Sequence, residues 1–388
     1  MDPKVKAWLA HVEQLSVVIG PRGSGTADEQ KAAEYCEAQF RRMGYEPEVD
    51  RFTSRSSVFR PHLVAAATFA IAYAIFPKLP WAAFILSLVA LVSEFQELLL
   101  RPNLLRLVGP KNPSRNVFAK AKPTGDHKRD IILMGHMDTQ RTPIIFSSKK
   151  WRKIYAIWSN VAMGLLILQT LLFGASLIWP HIHETVWDIS FISLIGAFSL
   201  IAITVEADTT PYTAGANDNA TGSGLVLTFA EDLISNPLAN TRVWLVCTGS
   251  EESLHEGAAS FFRAHKHEFV NPVTVNFEML GCTGPSYIVR EGLLLPLKPD
   301  GRLLEQVEHV AGASDIGAYP VVLTGGCTEA SDSMIAKVPA ITLIGLERDG
   351  FAPHWHMPSD TFDKMDEAIM ERAFNFVDRI IRRIDKVY

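Results

Sequence analysis

The stretch Thr241–Ser253, "TRVWLVCTGSEES", joins an apolar run to two adjacent carboxylates. Its apolar part predicts a strand that is buried on both faces. Glu251 and Glu252 follow at once, where repulsion and desolvation raise the free energy unless a cation or a proton offsets them. The stretch therefore predicts that metal-ligating or acid–base residues from elsewhere in the chain lie near this strand end.

The bulk composition limits the class of protein. A chain of 388 residues is long enough for one large domain or two ordinary ones, and a formal charge of −5 argues against a nucleic-acid partner. The hydrophobic fraction of 48% is high for a wholly soluble enzyme. The N-terminal segment resembles an amphipathic helix and not a secretory signal. The scattered cysteines are predicted to be reduced thiols: Cys36, Cys247, Cys282 and Cys327.

The apolar excess is concentrated in residues 62–100 and 154–205, which carry very few charges. Each stretch contains two apolar runs separated by a proline-containing turn, "PKLP" in the first and "PHIHET" in the second. Because a helix needs about 20 mostly apolar residues to cross a bilayer, we predict two transmembrane hairpins, with the first somewhat short. The alternative is a set of buried helices in a large soluble core.

Basic residues flank both apolar stretches, whereas the turns within them carry almost no positive charge. The positive-inside rule therefore predicts an integral, multi-pass membrane protein whose remaining residues face the cytoplasm. Those remaining residues are 1–61, 101–153 and 206–388, and we assign them to one domain.

Strand and helix patterns alternate in these remaining residues, which predicts an α/β fold with a mixed central sheet flanked by helices. The strand candidates are "NVFAKA", "DIILMGH", "TRVWLVCTG", "PVTVNFEML", "YPVVLTGG" and "PAITLIGL". The helix candidates are residues 28–43, 221–233, 255–265, 302–311 and 366–384. Ligand sites in such folds gather at strand ends.

Four further motifs place chemistry-bearing residues next to predicted strands or helices. "DIILMGHMDTQ" ends with His136 and Asp138, a possible metal ligand and its supporting carboxylate, although this motif taken alone favours a solvated histidine at a strand end. "AGANDNATGSG" places Asp218 among small residues before a helix, where a carboxylate can bridge two cations or simply cap a turn.

Two motifs follow in the later part of the chain. "VNFEMLGCTG" places Glu278 in an apolar strand, where an unpaired carboxylate is costly. "HWHMPSDTFDKMD" offers His354 and His356, one as a ligand and the other as a substrate contact. If Glu252 binds metal, its neighbour Glu251 is free to take a proton from a water molecule, although a surface acidic turn is the alternative.

The order and wording of these motifs, above all "GANDNATG" with "GSEE", resemble the zinc aminopeptidase family that includes leucyl aminopeptidases, glutamate carboxypeptidase II and glutaminyl cyclases. The resemblance covers nearly all of the chain outside the two hairpins, so that residues 1–61, 101–153 and 206–388 would form a peptidase domain. It implies two Zn²⁺ ions, Glu251 as general base and Asp138 as the carboxylate behind the first histidine. The ligands that it implies are His136, Asp218 (bridging), Glu252, Glu278 and His356.

The sequence departs from the family pattern at several positions. Glu278 stands where aminopeptidases usually have Asp, which tends to accompany carboxypeptidase or amidase activity, and Trp355 stands where Tyr is common. Ser333 replaces a frequent His, while Asp332 is a supporting candidate only.

We expect a membrane-embedded dizinc aminopeptidase. The alternatives are a carboxypeptidase or N-acyl-amino-acid amidohydrolase, a glutaminyl cyclase-like transferase, and a non-catalytic receptor-like relative. The expected partners are the lipid bilayer and an apolar or membrane-associated peptide or acyl-amino-acid substrate.

Overall fold

The computed structural model describes residues 2–387, which form two compact units. The first unit contains the segments up to Ser56, Lys111–Gln140 and from Tyr212 onward. The second unit contains Ser57–Pro110 and Arg141–Pro211. The segments of the second unit enclose the two predicted hairpins, 62–100 and 154–205, and extend 5 to 13 residues beyond their ends.

The first unit is built on an eight-stranded mixed sheet, which confirms the predicted α/β fold. Its strand order is β1-β2-β4-β3-β5-β8-β6-β7. The strands are β1 (Glu48–Arg55), β2 (Lys111–Ala121), β3 (Arg129–His136), β4 (Thr241–Thr248), β5 (Val273–Glu278), β6 (Ser286–Arg290), β7 (Tyr319–Val322) and β8 (Ala340–Ile344). Of these, β1 and β6 were not predicted from the sequence.

The four central strands, β4, β3, β5 and β8, run parallel. Nearly every residue in them is buried, which explains why they read as continuous apolar runs. Successive side chains point to opposite faces, so that Ile131 and Leu133 join one core while Ile132 and Met134 join the other. Because these strands are parallel, all their carboxyl ends meet at one edge of the sheet.

The helices lie close to the predicted bounds in the first unit, where the C-terminal helix begins one residue later than predicted. They are α1 (Pro3–Glu13), α2 (Ala27–Arg42), α3 (Arg60–Ile75), α4 (Pro80–Leu98), α5 (Lys149–Ile178), α6 (His183–Thr209), α7 (Thr221–Ser235), α8 (Glu256–His265), α9 (Gly301–Ala311), α10 (Glu329–Ile335) and α11 (Glu367–Val387). The short helix α10 was not predicted.

Two glycines allow α7 to pack directly on β3. A Cβ atom at Gly135 would lie 2.6 Å from the backbone of Gly222, and a Cβ atom at Gly222 would lie 2.6 Å from the side chain of Asn219. The Ser223 hydroxyl donates a hydrogen bond to the carbonyl of His136 at the same junction. This close approach brings the start of α7 to the end of β3, where the predicted first ligand lies.

The second unit consists of helices α3 to α6, which pack against one another. Among the described residues, three helices are long and apolar enough to cross a membrane by length and composition: α4, α5 and the segment that contains α6. The 16 residues of α3 span about 24 Å, which is short of a hydrocarbon core of about 30 Å.

The interior of the second unit is polar at its centre. Gln169 of α5 donates hydrogen bonds to the carbonyl of Phe69 in α3 (3.1 Å) and to Ser87 of α4 (3.4 Å). Ser193 of α6 donates to the carbonyl oxygen of the same Gln169 side chain. One buried amide therefore connects all four helices.

Candidate metal centre

The predicted ligands meet at the carboxyl edge of the central parallel strands. His136 is the last residue of β3, Glu278 is the last residue of β5, and Glu252 lies in the turn after β4. His356 is carried by the loop that follows β8, while Asp218 lies in the turn before α7. All five side chains are at least nine-tenths buried. Residues more than 200 positions apart thus share one site.

His136 forms one donor group with the carboxylates of Asp218 and Glu278. Its Nε2 atom lies 3.4 Å from Oδ1 of Asp218 and 3.4 Å from Oε2 of Glu278. Oε2 of Glu251 is 3.8 Å from the same nitrogen. In His136, Glu251 and Glu278, one ligand atom from each lies within 4.8 Å of the others, which is a spacing that can hold a metal ion.

His356 forms a second donor group on the other side of Asp218. Its Nε2 atom lies 3.2 Å from Oδ2 of Asp218 and 3.2 Å from Oε2 of Glu252. Asp218 therefore directs one oxygen to each imidazole. His136, Asp218 and Glu252 also form a group whose ligand atoms lie within 4.8 Å of one another.

The donor set fits divalent cations. Imidazole nitrogens and carboxylate oxygens are the zinc ligands that proteins use at catalytic sites. Oε1 of Glu252 is buried and has no hydrogen-bond partner among the described residues, as expected for an oxygen that faces a cation. The clustered carboxylates also need compensating positive charge, because buried anions are otherwise very unfavourable.

The pKa values reflect the crowding of negative charge. Burial opposes protonation of His356, but the carboxylates of Glu252 and Asp218 outweigh it and raise the pKa of His356 to about 9. Glu251 and Glu278 likewise outweigh burial at His136 and raise its pKa well above the ordinary value. Burial raises the pKa of Glu251 well above its usual range. Bound cations would replace the protons on these groups.

Asp138 organises both sides of the site. Its Oδ1 atom lies 3.5 Å from Nδ1 of His136 and accepts a hydrogen bond from the backbone N–H of Glu251 (3.0 Å). Its Oδ2 atom accepts hydrogen bonds from the N–H of Glu252 (3.1 Å) and from the Ser24 hydroxyl (2.6 Å). Nδ1 of His136 lies closer, at 3.1 Å, to the backbone carbonyl of Asp138. The carbonyl and carboxylate of Asp138 thus orient the first histidine together, while the carboxylate alone fixes the backbone of the glutamate pair.

Side-chain amides hold the carboxylates from behind. Asn219 donates to Oε2 of Glu278 (3.0 Å), and Asn276 donates to its Oε1 (3.1 Å). Gln140 donates to Oε2 of Glu252 (3.0 Å). The sequence motifs contained these residues, but no role could be predicted for them, because amide hydrogen bonds leave no spacing signal.

Two other carboxylates support the site from distant elements. Glu29 of α2 accepts hydrogen bonds from the N–H and the hydroxyl of Ser250, next to the glutamate pair. Asp360 accepts from the N–H groups of Asn217 (2.7 Å) and Asp218 (3.0 Å). Burial raises the pKa of Glu29 to about 8 and that of Asp360 to about 7. Glu29 lies too far away in sequence for any motif to have identified it.

A buried arginine fixes the loops that lead to the ligands. The Arg22 guanidinium donates to the carbonyls of Met137 (2.8 Å), Ala214 (2.8 Å) and Gly215 (2.9 Å). Burial lowers the pKa of Arg22 to about 10, so that the group remains charged at neutral pH. The loops after β3 and before Asp218 are therefore fastened to one side chain.

The two C-terminal histidines occupy different positions. His356 joins the donor groups, whereas Nδ1 of His354 lies 2.9 Å from the hydroxyl of Ser359. The ring of Trp355 packs against the His356 ring, with 4.5 Å between their centroids. His354 and His356 both have positive φ angles, 62° and 53°, a strained conformation that is typical of functional sites.

Comparisons with known proteins match this fold. The profile of peptidase family M28 matches residues 201–380. A search of curated proteins found no match. Among solved structures, a zinc aminopeptidase from Bacillus subtilis is 13% identical, with a TM-score of 0.57, and the alignment covers 99% of this chain and 96% of that one.

Two glutaminyl cyclases are similar to the same extent. The enzyme from Bacteroides thetaiotaomicron is 13% identical, with a TM-score of 0.58 and 97% of each chain covered. The enzyme from Fimbriiglobus ruber is 17% identical, with a TM-score of 0.58, and 99% of this chain and 96% of that one are covered. At these identities the likeness shows a shared fold.

Proposed function

We propose that this chain, in which residues 201–380 match the profile of peptidase family M28, hydrolyses peptide bonds with two zinc ions, as an aminopeptidase embedded in a membrane. The observation that carries the proposal is the position of Asp218 between two donor groups. Its Oδ1 faces His136 at 3.4 Å and its Oδ2 faces His356 at 3.2 Å. Such a carboxylate suits the bridge of a two-metal site. Glu278 completes one donor group and Glu252 the other.

The chain's own residues would divide the chemistry among them. Zinc bound here would polarise the scissile carbonyl and lower the pKa of the attacking water. Glu251 would accept the proton of that water and deliver it to the leaving amine. Its Oε2 is 3.8 Å from Nε2 of His136, farther than the oxygens of Asp218 and Glu278 at 3.4 Å, so that these two carboxylates suit ligation and Glu251 suits the base. Asp138 would keep His136 in the orientation that ligation requires.

Glutaminyl cyclisation is the second candidate, and the similarity to two glutaminyl cyclase structures is the observation that favours it. The presence of both donor groups together with Glu251 favours hydrolysis. Because Glu278 stands where aminopeptidases usually have Asp, carboxypeptidase and N-acyl-amino-acid amidohydrolase activities are alternatives that use the same chemistry. The same complete donor set argues against a non-catalytic receptor-like relative.

The second unit supports the membrane part of the proposal. Its interior contains polar side chains such as Gln169 and Ser87, which are at most 1% exposed. Its surface is apolar, with Leu171 65% and Phe191 59% exposed. A soluble protein has the opposite arrangement, whereas polar residues inside and apolar residues outside suit a helix bundle in lipid.

Aromatic residues lie at the ends of these helices. Trp81 lies in the first turn of α4, Trp179 follows α5 and Trp187 lies in the first turns of α6, and all three are exposed. Trp151, at the start of α5, is exposed as well and lies among basic residues. Exposed tryptophans at both ends are typical of segments that meet the two membrane interfaces, and the basic residues favour the cytoplasmic side for the catalytic unit.

Hydrolysis of matched peptides with free or acetylated N-termini by the detergent-purified protein tests the proposed reaction. Cleavage of free N-termini alone is expected for an aminopeptidase, while cleavage of blocked peptides would indicate a carboxypeptidase or amidohydrolase. Cyclisation of an N-terminal glutamine without hydrolysis would indicate the transferase. Excision of residues 62–100 and 154–205 with short linkers tests the membrane role, because a soluble protein with full activity on apolar substrates would contradict it.

A further inference from the structure

The imidazole of His255 lies between two carboxylates, one of which is the proposed general base. Its Nδ1 atom is 2.9 Å from Oδ2 of Asp332, and its Nε2 atom is 3.3 Å from Oε1 of Glu251. The His255 side chain is 5% exposed, so that its ring is enclosed on nearly all sides. From the sequence, His255 had no predicted role and Asp332 only a supporting one.

The backbone at this position is strained in a way that favours glycine. Leu254 and His255 both have positive φ angles, 70° and 52°. A non-glycine residue in this region costs free energy of the order of 1 kcal/mol or more. His255 also precedes α8 without capping it through its side chain. Histidine thus occupies a position whose backbone conformation would favour glycine.

The two oxygens of the Glu251 carboxylate face different groups. Oε1 lies on the side of His255, whereas Oε2 lies on the side of His136, 3.8 Å from its Nε2. The terminal torsion of a glutamate is broad, so that a carboxylate without a fixed partner rotates easily. A contact that fixes one oxygen determines where the other oxygen points.

We propose that His255 is a positioning residue for Glu251: anchored by Asp332, its imidazole fixes Oε1 so that Oε2 faces the donor groups, where the attacking water would be deprotonated. This inference rests on the proposed hydrolytic function. Asp332 belongs to α10 and His255 to the turn before α8, so that two separate elements of the fold define the direction of the base.

The protonation of His255 agrees with this geometry. Burial opposes protonation, but Cys327, Glu251 and Asp332 together outweigh it and raise the pKa of His255 well above its ordinary value. With both nitrogens protonated, Nδ1–H donates to Asp332, while Nε2–H faces Oε1 of Glu251 at 3.3 Å and Sγ of Cys327 at 3.8 Å. Misalignment of a reacting group by about 1 Å can cost about 100-fold in rate, which is why such an anchor matters.

The test compares His255→Asn, Asp332→Asn and the double variant in the detergent-purified, zinc-loaded protein. We expect kcat to fall by about 10- to 100-fold in each single variant, with KM within about twofold of wild type and the zinc content unchanged. Because both residues act through one contact, the double variant should lose no more than the worse single variant. If His255→Asn does not fold, Asp332→Asn alone provides the same comparison.

His265→Asn is the matched control. His265 also lies between two carboxylates, 2.8 Å from Asp50 and 2.6 Å from Glu268, but at the far end of α8. It should change thermal stability without lowering kcat. Four results would each overturn this inference and leave the proposed function standing. They are an equal loss of kcat in the control, multiplicative losses in the double variant, a loss of bound zinc, and an unchanged kcat in His255→Asn. If wild-type protein turned over no substrate, the proposed function would fail with it.

Discussion

Asp138→Asn should show whether Asp138 supports zinc binding in addition to stabilising the fold. Asp138 accepts the backbone N–H groups of Glu251 and Glu252 on different oxygens. Asparagine keeps one acceptor oxygen and replaces the other with an NH₂ group, so that one N–H group loses its acceptor whichever way the amide is placed. A buried unsatisfied donor costs about 1–3 kcal/mol of stability. His136 loses its carboxylate neighbour in both amide orientations, and in one of them an NH₂ group replaces the oxygen that faces it.

Zinc affinity should therefore fall by about 10- to 100-fold, which is the usual effect of removing a carboxylate behind a ligating histidine. The assay is competition for zinc with a fluorescent chelator, combined with thermal unfolding of the same preparations in detergent. A substitution at this position that left zinc affinity unchanged would refute the reasoning.

Asp385→Asn provides the control for this experiment. Asp385 accepts hydrogen bonds from the N–H groups of Ala239 and Asn240 and from the Thr241 hydroxyl, which is nearly the same set of donors. It lies at the opposite end of β4, about 23 Å from the site for a strand of eight residues. It should lower the thermal midpoint as Asp138→Asn does and leave zinc affinity intact. An equal loss of zinc affinity in both variants would attribute the effect to stability alone.

Three other substitutions test the fold around the site and the second unit. Asp130→Asn should lower the free energy of unfolding by about 3 kcal/mol at neutral pH, because it breaks a buried ion pair with Arg242. Burial of Asp130 is outweighed by its hydrogen bonds, which lower its pKa. The ion pair therefore contributes stability above about pH 4, and this contribution is lost as the pH falls further. Equal acid sensitivity of the variant and the wild type in unfolding followed by tryptophan fluorescence would contradict this. Gly222→Ala should cost about 1–3 kcal/mol and lower activity, since its Cβ atom would meet neighbouring atoms at 2.6 Å, whereas Gly301→Ala, where the described residues leave the space open, should be neutral in the same thermal assay. Gln169→Leu should lower the stability of the detergent-solubilised protein by about 0.6–1.7 kcal/mol, and an unchanged unfolding midpoint would argue against the polar centre of the helix bundle.

The central strands could be predicted from the sequence because parallel strands buried on both faces are continuous apolar runs. "DIILMGH" and "TRVWLVCTG" became β3 and β4 with little change. The edge strand β1 was missed because charged residues interrupt its apolar ones and nearly all of its residues are partly or fully exposed. Strand β6 was missed because it has only five residues. Helix α10 has seven residues, too few for a periodic pattern to be recognised.

The candidate ligands could be predicted because each follows a strand or precedes a helix in a motif of distinctive composition. The residues that hold them could not. Glu29 and Arg22 act from the N-terminal segment through hydrogen bonds to backbone groups, and such contacts depend on which loops meet in space. His255 was overlooked because its role depends on Asp332, which lies 77 positions further along the chain.

The measurement that tests the central claim most directly is peptide turnover as a function of zinc bound per chain, in wild-type protein and in Glu251→Gln. We expect turnover to appear as zinc is added to the chelated wild-type protein and to saturate at two ions. Glu251→Gln should bind the same amount of zinc and lose about 100- to 10,000-fold in kcat. Wild-type protein that binds two zinc ions and turns over no peptide, or a Glu251→Gln variant with full activity, would contradict the account.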